Sequence, residues 1–190
     1  MPDEEAFCVL VRMMDSYNLR SHYLADMPGL QLRLFQLDRL LEETIPLLHT
    51  HFVRKGVKSS MWASQWFMTL FSYRSVHHLH VAMLRVLGRL HMYRFPLSLV
   101  YRVLDIVFAE GLEAMFRFSL ALLQRSEDKL LGMEFEQILN YLQSDLFEIY
   151  RLEPQPDSDQ PEREREEPIA SDEGEWKANE FVRDAYEIRM

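Results

Sequence analysis

Leu30, Leu34, Leu37 and Leu41 recur at i, i+4, i+7 and i+11, with Arg33, Asp38, Glu42 and Glu43 between and beside them. That spacing stacks the four leucines on one side of an α-helix and spreads the charges around the rest. The same device returns along the chain. In residues 2–17, Asp3, Glu4 and Glu5 complement the positive end of a helix dipole, and Phe7, Leu10, Val11 and Met14 share one face. Asn18 is a plausible stop, and Met27-Pro28-Gly29 breaks the chain before the leucine stripe. Pro46 starts a shorter helix with Leu47, Leu48 and Phe52, which Gly56 ends. Ser59 or Ser60 is placed to cap a helix that runs through Phe71. It is apolar on most sides, so it is expected to be central and buried.

Pro96 begins another helix over 97–109, with Val100, Val103, Leu104 and Val107 inward and Gly111 closing it. Residues 112–124 and 135–150 continue the pattern. It returns over 176–188 with Trp176, Phe181, Val182, Ala185 and Ile188. Six glycines in 190 residues are too few for the many tight turns of a β-sandwich. The fold class is therefore all-α, and a hydrophobic share of 48% supplies a core.

The net charge of −9 is not spread evenly. Ten acidic residues lie in 153–175, opposed only by Arg163 and Arg165, so this stretch carries nearly all of the excess. It also holds Pro154, Pro156, Pro161 and Pro168 and almost no large apolar side chain. Such a composition cannot offset the entropy of ordering, so 153–175 reads as a solvated, disordered linker, with a docking strip for a basic partner as the alternative. The remainder is close to neutral, which argues against nucleic-acid binding through a basic face. A single cysteine, Cys8, excludes a disulfide framework and fits a reducing, cytoplasmic setting. The acidic start is unlike a signal peptide, and every apolar run is soon broken by Arg, Asp or Glu, so no transmembrane segment is expected.

Few residues suggest chemistry. His77, His78, His80 and His91 have no cysteine or carboxylate near them in sequence, so a metal site is not expected. His49 and His51 point to different sides of their helix. Cys8 has no histidine base beside it. Trp62 and Trp66 are i, i+4 and read as core, and Met13, Met14, Met61, Met68 and Met115 read as gap fillers. Arg102 and Asp105 read first as a structural i, i+3 ion pair, with Glu110 as another partner for Arg102 and contact with a protein partner as the alternative. There is no glycine-rich phosphate loop and no nucleophile–base pair, so no cofactor is expected.

The run Trp66-Phe67-Met68-Thr69-Leu70-Phe71, then Arg94-Phe95-Pro96, then Val100-Tyr101-Arg102-Val103-Leu104-Asp105 and Ala109-Glu110-Gly111 resembles the TBC family of Rab GTPase-activating proteins. Glu4-Glu5-Ala6-Phe7, Leu37-Asp38-Arg39-Leu40-Leu41 and Phe181-Val182-Arg183-Asp184-Ala185 are similar to it too. The resemblance implies the C-terminal helical half of a TBC domain over 1–152, with 176–190 as its terminal helix. It implies a GTP-bound Rab-type small GTPase as partner, regulation of GTP hydrolysis in vesicle traffic, and peripheral association with Golgi or secretory vesicles through partners. Trp66, Phe67, Phe71, Phe95, Pro96, Arg102, Asp105, Glu110 and Gly111 carry the family pattern, mainly in structural roles.

Family members deliver an arginine and a glutamine to the nucleotide of the Rab. The arginine offsets charge on the transferred phosphoryl group, worth roughly 10³ to 10⁵ in rate, and the glutamine orients the attacking water. The motifs concerned, Ile-x-x-Asp-x-x-Arg and Tyr-x-Gln-Gly, belong to the other half of the domain and are not found here. Tyr141-Leu142-Gln143 is followed by Ser144 instead of glycine and comes too late in the domain. The chain alone is thus expected to be a regulator without catalytic residues, or else a non-catalytic Rab-binding or scaffold module. Residues 75–93 interrupt a turn that the family makes almost directly. They read first as translated intron sequence and otherwise as an inserted helix carrying Leu79, Ala82, Met83, Val86 and Leu90.

Overall fold

The computed structural model describes residues 2–72, 97–152 and 176–189. The interruption at 75–93, the histidines within it, Phe95, Pro96 and the acidic stretch 153–175 lie outside the described residues. Among the described residues there is no strand, and the only β-type pairing is an isolated antiparallel bridge between Arg151 and Trp176.

Nine α-helices occur among the described residues: α1 (Asp3–Ser16), α2 (Pro28–Thr44), α3 (Pro46–Lys55), α4 (Ala63–Thr69), α5 (Leu97–Glu110), α6 (Ala114–Arg125), α7 (Glu127–Leu131), α8 (Phe135–Asn140) and α9 (Ala178–Glu187). Short 3-10 turns at Leu19–His22 and Ser59–Met61 join them. The leucine stripe of α2 faces inward as its spacing predicts: Leu30, Leu34, Leu37 and Leu41 are all buried. Pro28 and Pro46 sit at the starts of α2 and α3, where a missing N–H costs nothing. Gly56 and Gly111 close α3 and α5 at φ of 74° and 94°, a left-handed backbone that favours glycine.

The core centres on α6, which buries nine residues from Ala114 to Leu123. Phe67 of α4 meets Phe116 with ring centroids 5.3 Å apart, and Phe118 meets Phe181 of α9 at 4.8 Å. A second aromatic group joins Trp62, Trp66, Phe71 and Phe147, with Trp62 and Trp66 edge to face at 4.8 Å.

Four expectations need correction. Neither Ser59 nor Ser60 caps a helix; they lie in a 3-10 turn, and α4 begins at Ala63 behind Trp62. That helix stops at Thr69, not Phe71, because Leu70 and Phe71 turn left-handed at φ of 50° and 60°. Two adjacent non-glycine residues in this region cost about 1–2 kcal/mol each. Burial of the Phe71 ring against Trp66 at 5.2 Å, and a 3.1 Å bond from the Phe71 N–H to the Trp66 carbonyl, hold them there. The expected helix over 135–150 is three pieces: α8, a π-helical turn (Tyr141–Asp145) and a 3-10 turn (Leu146–Tyr150). The fourth correction concerns α1, which forms as expected but buries no residue. Phe7, Leu10 and Val11 are exposed, while Met13, Met14 and Tyr17 at its C-terminal end only partly pack against the body.

A candidate partner-binding face

α1 and α5 meet at one point. The Tyr17 hydroxyl donates to the Phe108 carbonyl at 2.8 Å, and the two rings lie edge to face at 6.2 Å. Around this contact Val9, Arg12, Met13, Tyr17 and Phe108 line a cavity of about 190 Å³. On α5 the side chains of Tyr101, Arg102 and Asp105 are exposed. Phe7, Leu10 and Val11 of α1 are exposed too, and helical spacing sets them on the side of α1 away from Val9, Arg12 and Met13. Isolated exposed apolar residues are ordinary, but several on one face mark a place where another polypeptide packs.

Arg102 and Asp105 do not form the structural pair that their spacing suggested: among the described residues neither makes an ion pair with the other. Glu110 is not a partner for Arg102 either. It accepts from Arg117 Nη1 at 2.7 Å and from the Tyr186 hydroxyl, with the Arg117 guanidinium 5.6 Å over the Tyr186 ring. The physical reason is direction. Arg102 projects outward from α5, whereas Glu110, at the Gly111 corner, faces α6 and α9.

Trp66, Phe67 and Phe71 are buried to 3% exposure or less, and Gly111 makes the corner into α6. Gln143, the residue of the partial glutamine motif, is exposed, and its amide donates to the Met61 carbonyl at 3.3 Å. His51 lies 3.2 Å from the Met133 carbonyl, and His49 lies 3.8 Å from Asp38, each a contact within the helical body. Among the described residues no group of His, Cys, Asp and Glu could hold a metal ion. Cys8 is exposed on α1.

Sequence reasoning missed the clamp that seats α9. Arg125 donates to Glu180 and to Asp184, both at 2.6 Å, and its guanidinium lies 4.7 Å over the Tyr150 ring. Tyr150 is fully buried and donates its hydroxyl to Asp184 at 2.8 Å. Burial, and then that bond to a carboxylate, push the Tyr150 phenol well above its ordinary value. The hydrogen bond from Arg125 holds the Glu180 carboxyl below its usual range. The partners are 59 and 55 residues apart, so no local spacing rule links them. The one available signal was the Arg183-Asp184 pair in the terminal helix. A capping contact was missed as well: the Glu134 N–H donates to Gln137 at 2.9 Å, and Lys55 reaches Glu134 at 2.5 Å.

The family model of the RabGAP TBC domain matches the chain in two stretches, residues 1–87 and 75–190. GTPase-activating protein GYP5 of Eremothecium gossypii is 40% identical over 151 residues, covering 80% of this chain and 16% of that protein. Its counterpart of the same name in Saccharomyces cerevisiae is 38% identical over 82% of this chain and 15% of its own length. Rab GTPase-activating protein tbc-11 of Caenorhabditis elegans is 37% identical over 80% of this chain and 14% of its own length. The chain thus spans about a sixth or less of these relatives. With an all-α body and a family match reaching from its first residue to its last, the chain belongs to the RabGAP TBC domain family.

Proposed function

We propose that this chain takes part in regulating GTP hydrolysis by Rab-type small GTPases, through contact with the GTP-bound form, and that it supplies no catalytic residue itself. The observation that carries this reading is the TBC match along the chain together with the setting of Gln143. Its amide is engaged with the Met61 carbonyl within the helical body. The exposed apolar side chains of α1, Phe7, Leu10 and Val11, support the same reading, because several such residues on one face mark a place where another polypeptide packs. The place of action is the cytoplasm, at the surface of Golgi or secretory vesicles through partners. Among the described residues no helix is long and apolar enough to cross a membrane.

Single-turnover GTP hydrolysis on a panel of Rab proteins tests this. The chain alone leaves the intrinsic rates unchanged. Acceleration by a factor approaching the roughly 10³ of a GAP arginine would overturn the assignment. A second reading, a non-catalytic Rab-binding or scaffold module, is favoured by the exposed Arg102 and Asp105 on α5, which make no ion pair among the described residues. Pull-down against Rab proteins in the GTP and GDP forms tests the contact that both readings require. GTP-selective capture without acceleration supports the binding module, and no capture of either form removes it.

A further inference from the structure

His22 ends the Leu19–His22 turn and is 1% exposed. Its ring bonds to the Phe67 backbone in α4, while Nδ1 is buried without a hydrogen-bond partner. Gly29 of α2 packs directly against it: a Cβ at that position would lie 2.7 Å from the His22 ring and 2.0 Å from Ser21 Oγ. The charged group acting on the ring is Arg33 of α2, which repels a second positive charge. From α4 the ring meets Phe67 main chain. No carboxylate of α1 bears on it, and Arg20 of its own turn is exposed. The neutral ring fits this site. A protonated ring would hold a buried N–H without an acceptor beside a guanidinium, which is doubly unfavourable.

The position of this turn gives the site a consequence. α1 buries no residue, so it is held to the body through the Leu19–His22 turn, the Tyr17–Phe108 contact and the partial packing of Met13 and Met14. Few buried apolar contacts secure it, and segments of this kind open far below the free energy of global unfolding. We propose that His22 is an acid-sensitive latch: protonation of its ring releases the Leu19–His22 turn, and α1 with it, from the helical body while the α6 core stays folded. Burial first, and then Arg33, lower the His22 pKa from its ordinary 6.5. The latch is therefore fully in place above 6.5 and weakens as pH falls from there toward the lowered folded value, below which the loss levels off.

Hydrogen–deuterium exchange of the 190-residue chain at about pH 7.5 and about pH 5, corrected for intrinsic rates, tests this. Amides of α1 and the Leu19–His22 turn lose protection by roughly tenfold per pH unit spanned by the two pKa values, while those of α6 do not change. His22→Phe keeps a buried ring without a titrating nitrogen and abolishes the acid response. An unchanged response in that variant, or none in the parent chain, overturns the latch. Should His22→Phe fail to fold, NMR titration of the parent His22 ring decides instead. Ring protonation coincident with α1 opening supports the proposal, and ring protonation with α1 still protected overturns it.

Discussion

α1 and α6 look alike as sequence and behave as opposites in the fold. Each is a helix of twelve to fourteen residues with apolar side chains at helical spacing. α6 buries nine residues among α4, α5 and α9, and α1 buries none. Apolar spacing therefore specifies that a helix has a face to cover, not that something covers it. A fully buried apolar side chain gains about 1.5–3 kcal/mol over an exposed one. On that scale the α6 side chains support the fold and the α1 side chains at Phe7, Leu10 and Val11 contribute little to it. What α1 offers is exposed apolar surface.

The contrast can be broken by mutation. Phe118→Ala removes a ring packed on Phe181 in the α6 core and is expected to cost about 3–5 kcal/mol in a denaturant melt. Gly29→Ala would normally favour a helix by about 1 kcal/mol. Here the added methyl overlaps Ser21 and His22, so a net loss of about 1–3 kcal/mol is expected, read as a lower melting temperature. A gain in stability would show that the Leu19–His22 turn yields freely. Arg125→Leu leaves Glu180 and Asp184 with only the looser cation contacts of Lys177 and Arg183, at 3.8 to 3.9 Å. Because Arg125 is about a third exposed, the loss is expected near 1 kcal/mol and concentrated in faster amide exchange of α9. Smallest of all, Leu10→Ser in α1 should change stability by no more than about 0.5 kcal/mol. If it costs as much as Phe118→Ala, α1 is covered after all and the comparison fails.

Much of the core was legible beforehand because it rests on local periodicity. The α2 stripe, the burial of Trp62, Trp66 and Phe67, the inward valines of α5 and the Gly56 and Gly111 corners all follow from spacing and backbone preference. The candidate face was less legible. Arg102 and Asp105 have the spacing of an ion pair, yet spacing permits such a pair without requiring it, and an exposed pair gains too little to hold two side chains together. Glu110 went to Arg117 and Tyr186 because the Gly111 corner brings α6 back beside it and α9 adds a hydroxyl. His22 carried no local signal of burial. Its setting depends on Gly29, seven residues on, and on Phe67, from a helix much later in the chain.

By itself the sequence determined that this protein is built of helices, roughly where they begin and end, and which side of each is apolar. These are properties of residues within a turn or two of one another, where backbone sterics and side-chain spacing act directly. Only the tertiary structure decided that α4 turns off at Leu70 and Phe71, that Arg125 clamps α9, and that the apolar side of α1 is left open. Each of those depends on which distant surfaces meet, and a helix with an apolar side is equally consistent with a covered neighbour or an open one until the packing of the whole body is in place.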